Sequence, residues 1–331
     1  MKKNLLRIIT IIIVVCFLIA GGVCIASQLH GISFQGKIAI QGYLDNHNAG
    51  IFLYNRVFHI FTRITPQNML VFSPAWSPDG KKLAFVYSNN DYVYFHIALL
   101  DISSGKIESL VDKGISDYLF NRDTALAWSP DGKQLLFDAA SDTCHALFLY
   151  QLDQRNFHPL NIQFCKSKTG DSVELVSLSW SPGDAPLIGI SYQGYYYYTD
   201  DIYLLKPPFT RSAWVIQGSD PVWRPGTDEF SYICKNPEKP YHNSLCIYST
   251  GLEKSNEIFA DYTYDHYAWS PDGQFILYIN TGYEEASPSL LSLIDVKTGE
   301  QNTLLNLIHF YWSVYPGYFR WVDGEVSWST K

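Results

Sequence analysis

Beyond residue 36 the apolar residues come in short runs broken by Gly, Pro, Asp and Ser. Lys82 to Ser88, Gln134 to Asp138, Phe230 to Cys234 and Gln274 to Asn280 are rich in β-branched and aromatic residues, and each follows a turn-forming cluster. A second set follows after a variable loop: His96 to Ile102, Ala146 to Asp153, Asp201 to Leu205 and Leu290 to Val296. Such runs predict strands, and the polar links Ser103-Ser104-Gly105-Lys106 and Lys297-Thr298-Gly299-Glu300 predict tight turns between them. The N-terminus reads differently. Ile8 to Ala26 carries no charge over 19 residues, which at about 1.5 Å per residue is roughly 28 Å of helix, close to the apolar thickness of a bilayer. Lys2, Lys3 and Arg7 precede it and no basic residue follows until Lys37, so the start of the chain is expected in the cytoplasm and the rest outside. A cleaved signal peptide is the competing reading, but its apolar stretch is usually only about 7 to 15 residues. Lipidation at Cys24 is disfavoured by the bulky Val23 before it. The expected organisation is a basic segment 1–7, a signal-anchor helix 8–26, a linker 27–35 and a β domain 36–331.

A repeat organises the β domain. Trp76-Ser77-Pro78-Asp79-Gly80 recurs as Trp128-Ser129-Pro130-Asp131-Gly132 and Trp269-Ser270-Pro271-Asp272-Gly273. Degraded copies stand at Trp180-Ser181-Pro182-Gly183-Asp184, Trp223-Arg224-Pro225-Gly226 and Trp321-Val322-Asp323-Gly324. Successive Trp positions lie 52, 52, 43, 46 and 52 residues apart, the period of a four-stranded propeller blade. Ser, Pro and Gly occupy the first, second and fourth places of a type I turn. The pattern predicts an all-β, six-bladed β-propeller of four-stranded antiparallel blades, preceded by one transmembrane helix. Residues 37 to 64 hold three strand-like runs without a Trp turn, and Tyr318 to Val322 is expected to supply the missing innermost strand, so that both chain ends close the ring. Glu325 to Ser329 reads as a further strand competing for the place beside Lys37 to Tyr43.

The Trp-Ser-Pro-Asp-Gly copies, with Asp201-Ile202-Tyr203 and Gly36-Lys37-Ile38-Ala39, resemble the TolB-like family of β-propeller repeats over residues 36 to 324. The resemblance implies the fold. It carries little about function, because the family includes a periplasmic component of an envelope-spanning complex with an α/β domain ahead of its propeller, and segment 27–35 is too short to hold that domain.

Four cysteines lie beyond the apolar run. Cys144 and Cys165 are symmetric about Asp153-Gln154-Arg155-Asn156, where a hairpin should turn, and Cys234 and Cys246 flank a second hairpin loop. Facing residues of an antiparallel pair lie within disulfide reach. Disulfides Cys144–Cys165 and Cys234–Cys246 are therefore expected in an oxidising exterior, with four free thiols as the alternative.

Composition narrows the partners. The formal charge is -8, and without the cations Lys2, Lys3 and Arg7 the rest of the chain stands at -11. With no basic patch outside the N-terminus, nucleic acid is not an expected partner. The face opposite the Trp turns should carry the long loops, where tyrosines collect: Tyr92, Tyr94, Tyr195, Tyr196, Tyr197, Tyr198, Tyr241, Tyr262, Tyr264 and Tyr311, with Trp312. An apolar ring with a polar tip suits peptide or sugar recognition. Around the channel, Asp123, Asp220, Asp265 and His266 precede the Trp residues and are candidates for a cation or a polar ligand. The repeat Asp residues read as turn formers and the Trp residues as packing between blades. No Gly-x-Ser-x-Gly elbow, phosphate-binding Gly loop or His-x-x-x-His pair occurs, so neither a catalytic residue nor a cofactor is expected. Two functions fit: a tethered extracytoplasmic module that binds a protein or glycan through the Tyr-rich face, or a propeller hydrolase or lyase with a metal at the channel mouth. The second requires at least three converging ligands.

Overall fold

The computed structural model describes residues 36–43, 49–55, 60–89, 94–111, 115, 118–165, 172–181, 186–193, 198–205, 209, 212–235, 243–262, 267–280, 290–306 and 326–329. The chain divides into two units, Met1–Phe34 and Gln35–Lys331. The first unit, with the expected anchor helix 8–26, lies outside the described residues.

Every described element is a strand, and the strands make six four-stranded sheets. Sheet 1 runs β24 (Val326–Trp328), β1 (Ile38–Tyr43), β2 (Ala49–Asn55), β3 (Ile60–Arg63). Sheet 2 is β4 (Leu70–Trp76), β5 (Lys82–Ser88), β6 (His96–Asp101) and β7 (Ile107–Val111). Sheet 3 is β8 (Leu126–Trp128), β9 (Gln134–Ala140), β10 (Cys144–Gln151) and β11 (Asn156–Cys165). Sheet 4 is β12 (Ser172–Trp180), β13 (Pro186–Gln193), β14 (Tyr198–Leu205) and β15 (Ser212–Gln217). Sheet 5 is β16 (Ser219–Trp223), β17 (Glu229–Lys235), β18 (Asn243–Ser249) and β19 (Lys254–Tyr262). Sheet 6 is β20 (Tyr267–Trp269), β21 (Phe275–Asn280), β22 (Leu290–Asp295) and β23 (Gln301–Asn306). Neighbouring strands pair antiparallel, and the first strands of successive sheets contact one another along the series β4, β8, β12, β16, β20, β24 and back to β4.

Stacking explains why the middle strands read as unbroken apolar runs. In β5 the residues after Lys82 are buried throughout. Ala84 and Val86 point into a core shared with Trp128, Leu135, Phe137 and Phe148 of sheet 3, while Leu83 and Phe85 point into one shared with Ala39 and Ile51 of sheet 1. With both faces covered, alternation vanishes. It returns toward the rim: β11 alternates exposed and buried residues from Leu160 onward, because its outer edge meets solvent.

Each intact Trp turn is built alike. Gly80, Gly132 and Gly273 donate their N–H to the Ser77, Ser129 and Ser270 carbonyls at 2.9, 2.9 and 2.8 Å, and φ of 65°, 69° and 66° is a region where a side chain would be strained. The serine hydroxyls donate to the Oδ1 atoms of Asp79, Asp131 and Asp272 at 2.7, 2.6 and 2.6 Å. The repeat aspartates thus serve as turn formers.

Sheet 1 corrects one expectation. Its innermost strand is Val326–Trp328, not Tyr318 to Val322, which lies outside the described residues together with Trp321. Ile38 faces Trp328 and Ile40 faces Val326. The reason is chemical. Ser329 N–H donates to the Lys37 carbonyl at 2.9 Å and Lys37 N–H to Ser329 Oγ at 2.8 Å, the pair of bonds that Ser77 makes with Lys82 inside a continuous turn. A Trp turn is rebuilt here from the first and last strands of the β unit.

Both expected disulfides are present, Cys144–Cys165 and Cys234–Cys246. Cys144 faces Cys165 directly, whereas Cys234 faces Ser244 and Cys246 faces Tyr232, so the second bridge runs diagonally across β17 and β18. Replacing Cys144 and Cys165 by Ser is expected to cost about 3 kcal/mol for a loop of this length. Urea unfolding of the oxidised protein and the variant gives the difference; equal midpoints would contradict it.

Candidate functional site

The two faces of the β unit differ in construction. On one, each Trp turn lies beside the turn joining the third and fourth strands: Ile102, Leu152 and Val296 donate their N–H to the carbonyls of Lys81, Lys133 and Gln274. Here three carboxylates, Asp79, Asp101 and Asp131, are held ionised. The Ser103 hydroxyl, followed by the Ser104 amide and hydroxyl, keeps Asp101 well below the usual carboxylate range. Partial burial opposes the effect at Asp79, but the Ser77 hydroxyl, the Lys81 amide and the charges of Lys81 and Lys82 outweigh it. Asp131 is lowered first by the Ser129 hydroxyl, then by the Lys133 amide.

On this face cations also fasten one sheet to the next. Lys37 lies over the Trp76 ring at 5.6 Å and its Nζ donates to the Gly80 carbonyl at 2.9 Å. Arg224 lies over the Trp269 ring at 5.3 Å, its Nε donates to the Gly273 carbonyl at 2.8 Å, and Nη1 pairs with Glu229 at 2.7 Å. Between the turns of sheets 2 and 3 lies a cavity of about 300 Å³ walled by Ser77, Pro78, Asp79, Lys82, Trp128, Pro130, Asp131 and Gly132. The repeat tryptophans pack between sheets as expected: Trp128 Nε1 donates to the Ala75 carbonyl at 3.0 Å, and Trp269 Nε1 to Ser231 Oγ at 2.8 Å.

At the opposite end of the strands, the link 141–143 between β9 and β10 is described. Of the tyrosine candidates, Tyr94 is 50% exposed, and Tyr198 and Tyr262 lie in β14 and β19. Tyr92, Tyr195, Tyr196, Tyr197, Tyr241, Tyr264, Tyr311 and Trp312 lie outside the described residues, as do Asp265 and His266. Asp123 takes part in a local turn, its amide bonded to Asn121 Oδ1 and its carboxylate 3.4 Å from Arg122. Asp220 sits in a bulge of β16 at φ 49°. Its carbonyl accepts from the buried Tyr267 hydroxyl at 2.7 Å, whose pKa burial pushes up. Among the described residues no three His, Cys, Asp or Glu side chains gather as a metal site would require.

Two constellations escaped the sequence. Trp214 on edge strand β15 is 58% exposed, yet its indole donates to Asp201 Oδ1 across β14 at 2.8 Å. The only signal is negative, since Trp214 is followed by no turn motif. His145 and Asp138 form a buried pair at 2.8 Å, with the other Asp138 oxygen accepting the Ala125 amide. Their spacing resembles no sequence motif, because a register diagonal brings them together.

Four-stranded antiparallel sheets whose first strands contact one another in series define a β-propeller. Residues 38–182 match the family described as the dipeptidyl peptidase IV (DPP IV) N-terminal region. Human prolyl endopeptidase FAP is 32% identical over 101 residues, covering 28% of this chain and 13% of that protein. Dipeptidyl peptidase 4 of Felis catus is 30% identical over 115 residues, 31% of this chain and 15% of that protein. The chain therefore aligns with a small fraction of these relatives' lengths. In structure it resembles TolB from Acinetobacter baumannii, with a TM-score of 0.65 and 19% identity over 92% of this chain and 70% of that one, a likeness of fold.

Proposed function

We propose that this protein is a membrane-tethered, extracytoplasmic binding module. In this reading residues 8–26 anchor the chain, the N-terminus stays in the cytoplasm, and six blades closed by β24 and β1 stand outside with their loop face toward a protein or glycan. The observation that carries it is the pair of cross-strand disulfides, since such bonds persist in oxidising compartments. Support for the ring comes from the six sheets and the unbroken series of first-strand contacts. The match to the N-terminal region of peptidases favours a peptide or protein over a glycan.

The test keeps the protein in its native membrane. Cross-linking from the outer surface should capture a partner, and replacing Tyr195, Tyr196, Tyr197 and Tyr198 by Ser should cut that capture roughly ten-fold while shifting stability by no more than about 0.5 kcal/mol, as surface changes do. Full capture by a stable variant places the binding surface elsewhere. A mature N-terminus near Ser27 in the soluble fraction rejects the anchor.

A further inference from the structure

We propose that the cavity between the Trp turns of sheets 2 and 3 is a binding site for an arginine side chain presented by a basic segment of a partner protein. The protein contains its own template for such a site. Trp76 with Gly80, Trp128 with Gly132, and Trp269 with Gly273 occupy equivalent places in the repeat. At the first and third of these a cation from the preceding sheet lies over the indole and donates to the glycine carbonyl, Lys37 in one case and Arg224 in the other. The two cations come from different positions of the repeat: Arg224 stands where the intact turns have Ser, and Lys37 where sheet 2 has Lys82. What they share is the receptor, an aromatic face beside a carbonyl at the crevice between two turns. A guanidinium suits it because it stacks on an indole and donates in its own plane at the same time.

At Trp128 and Gly132 the same two groups line the crevice, the indole 7% exposed, and among the described residues no Lys or Arg lies over the ring. Ser77, at the place of Arg224, is too short to reach. Lys82, at the place of Lys37, is exposed, and its charge acts on Asp79. Among the described residues the Gly132 carbonyl accepts no hydrogen bond, and the crevice remains open at about 300 Å³. Its rim adds the carboxylates of Asp79 and Asp131, each using Oδ1 to hold its own turn. Asp131 Oδ2 has no bonded partner among the described residues. Two ionised carboxylates against one lysine leave the crevice net negative, in a chain whose formal charge is already -8. The site is on the turn face, so it stands or falls independently of the loop-face reading.

The experiment uses the full chain in detergent micelles with 15N-labelled tryptophan and follows the Trp128 indole N–H signal. N-acetyl-L-arginine amide is titrated in as probe, and N-acetyl-L-citrulline amide serves as its neutral counterpart. Arginine amide should produce a saturable shift, with citrulline amide weaker by about five-fold or more, as expected when a cation over an indole supplies the attraction. Replacing both Asp79 and Asp131 by Asn should weaken arginine binding by about five-fold, and since the ionised carboxylates are favoured in the folded turns it should also lower the thermal midpoint somewhat, so binding is compared at a temperature where both proteins are fully folded. Lys82→Ala, which takes away a repelling charge, should tighten it. Equal responses to the two amides, or no saturable shift at Trp128, would overturn the proposal. So would binding seen only after Lys82→Ala, which would make Lys82 the resident cation of the crevice.

Discussion

Replacing Trp128 by alanine is expected to destabilise the β unit by about 3 to 5 kcal/mol through the cavity it leaves between sheets 2 and 3. The side chain is 7% exposed, belongs to the cluster formed with Phe72, Leu135, Phe137 and Phe148, and bonds the Ala75 carbonyl of the neighbouring sheet. Urea unfolding measures the loss. Trp128→Phe keeps most of the buried ring and should recover most of the stability, the missing indole bond accounting for about 1 kcal/mol. Trp214→Ala should stay within about 0.5 kcal/mol, since its ring faces solvent. A loss below about 1 kcal/mol at Trp128 would mean that the repeat tryptophans do not carry the contact between sheets.

Removing residues 326–331 should cost a comparable amount. It strips β24 from β1 and uncovers Ile38 and Ile40, which are 5% and 0% exposed, at about 1.5 to 3 kcal/mol each. The amides and carbonyls of β1 that faced β24 also lose their partners. The subtler change Ser329→Ala removes one side-chain acceptor from the rebuilt turn and should cost about 1 kcal/mol. Differential scanning calorimetry distinguishes the two. A truncated chain that melts at the native temperature would show that sheet 1 does not depend on its fourth strand.

How far the sequence revealed this can be followed residue by residue. Lys82–Ser88 was legible to the residue because a complete Trp turn precedes it and both faces of the strand are buried. The Cys144–Cys165 pairing was legible from hairpin symmetry, since β10 and β11 pair in register at the cysteines. The innermost strand of sheet 1 was misplaced for a definite reason. Its turn is split, with Trp328-Ser329 at the end of the last strand of the β unit and Gly36-Lys37 before the first, so no continuous motif exists to be found. The degraded Trp321 copy attracted the assignment instead. The exposed Trp214 was not legible either, because composition does not distinguish an indole that packs between sheets from one that a carboxylate holds at the rim. Binding candidates drawn from variable loops depend on loop conformation, which turn chemistry does not specify. Of them, Tyr94 is the one whose exposure is described.

The turn shared by the first and last strands of the β unit also sets the order of events during synthesis. Lys37 and Ser329 are 292 residues apart, and at roughly 5 to 20 residues per second the partner of β1 emerges about 15 to 60 s after β1 itself. Throughout that interval the inner edge of β1 offers unpaired amides and carbonyls beside apolar Ile38 and Ile40, an invitation to mispair with another nascent chain. Sheets 2 to 6 each close within a local stretch of sequence and are free to form as they appear, but sheet 1 waits until β24 has been made. Its high contact order makes it the slow step, and a holding chaperone would matter most for those first strands.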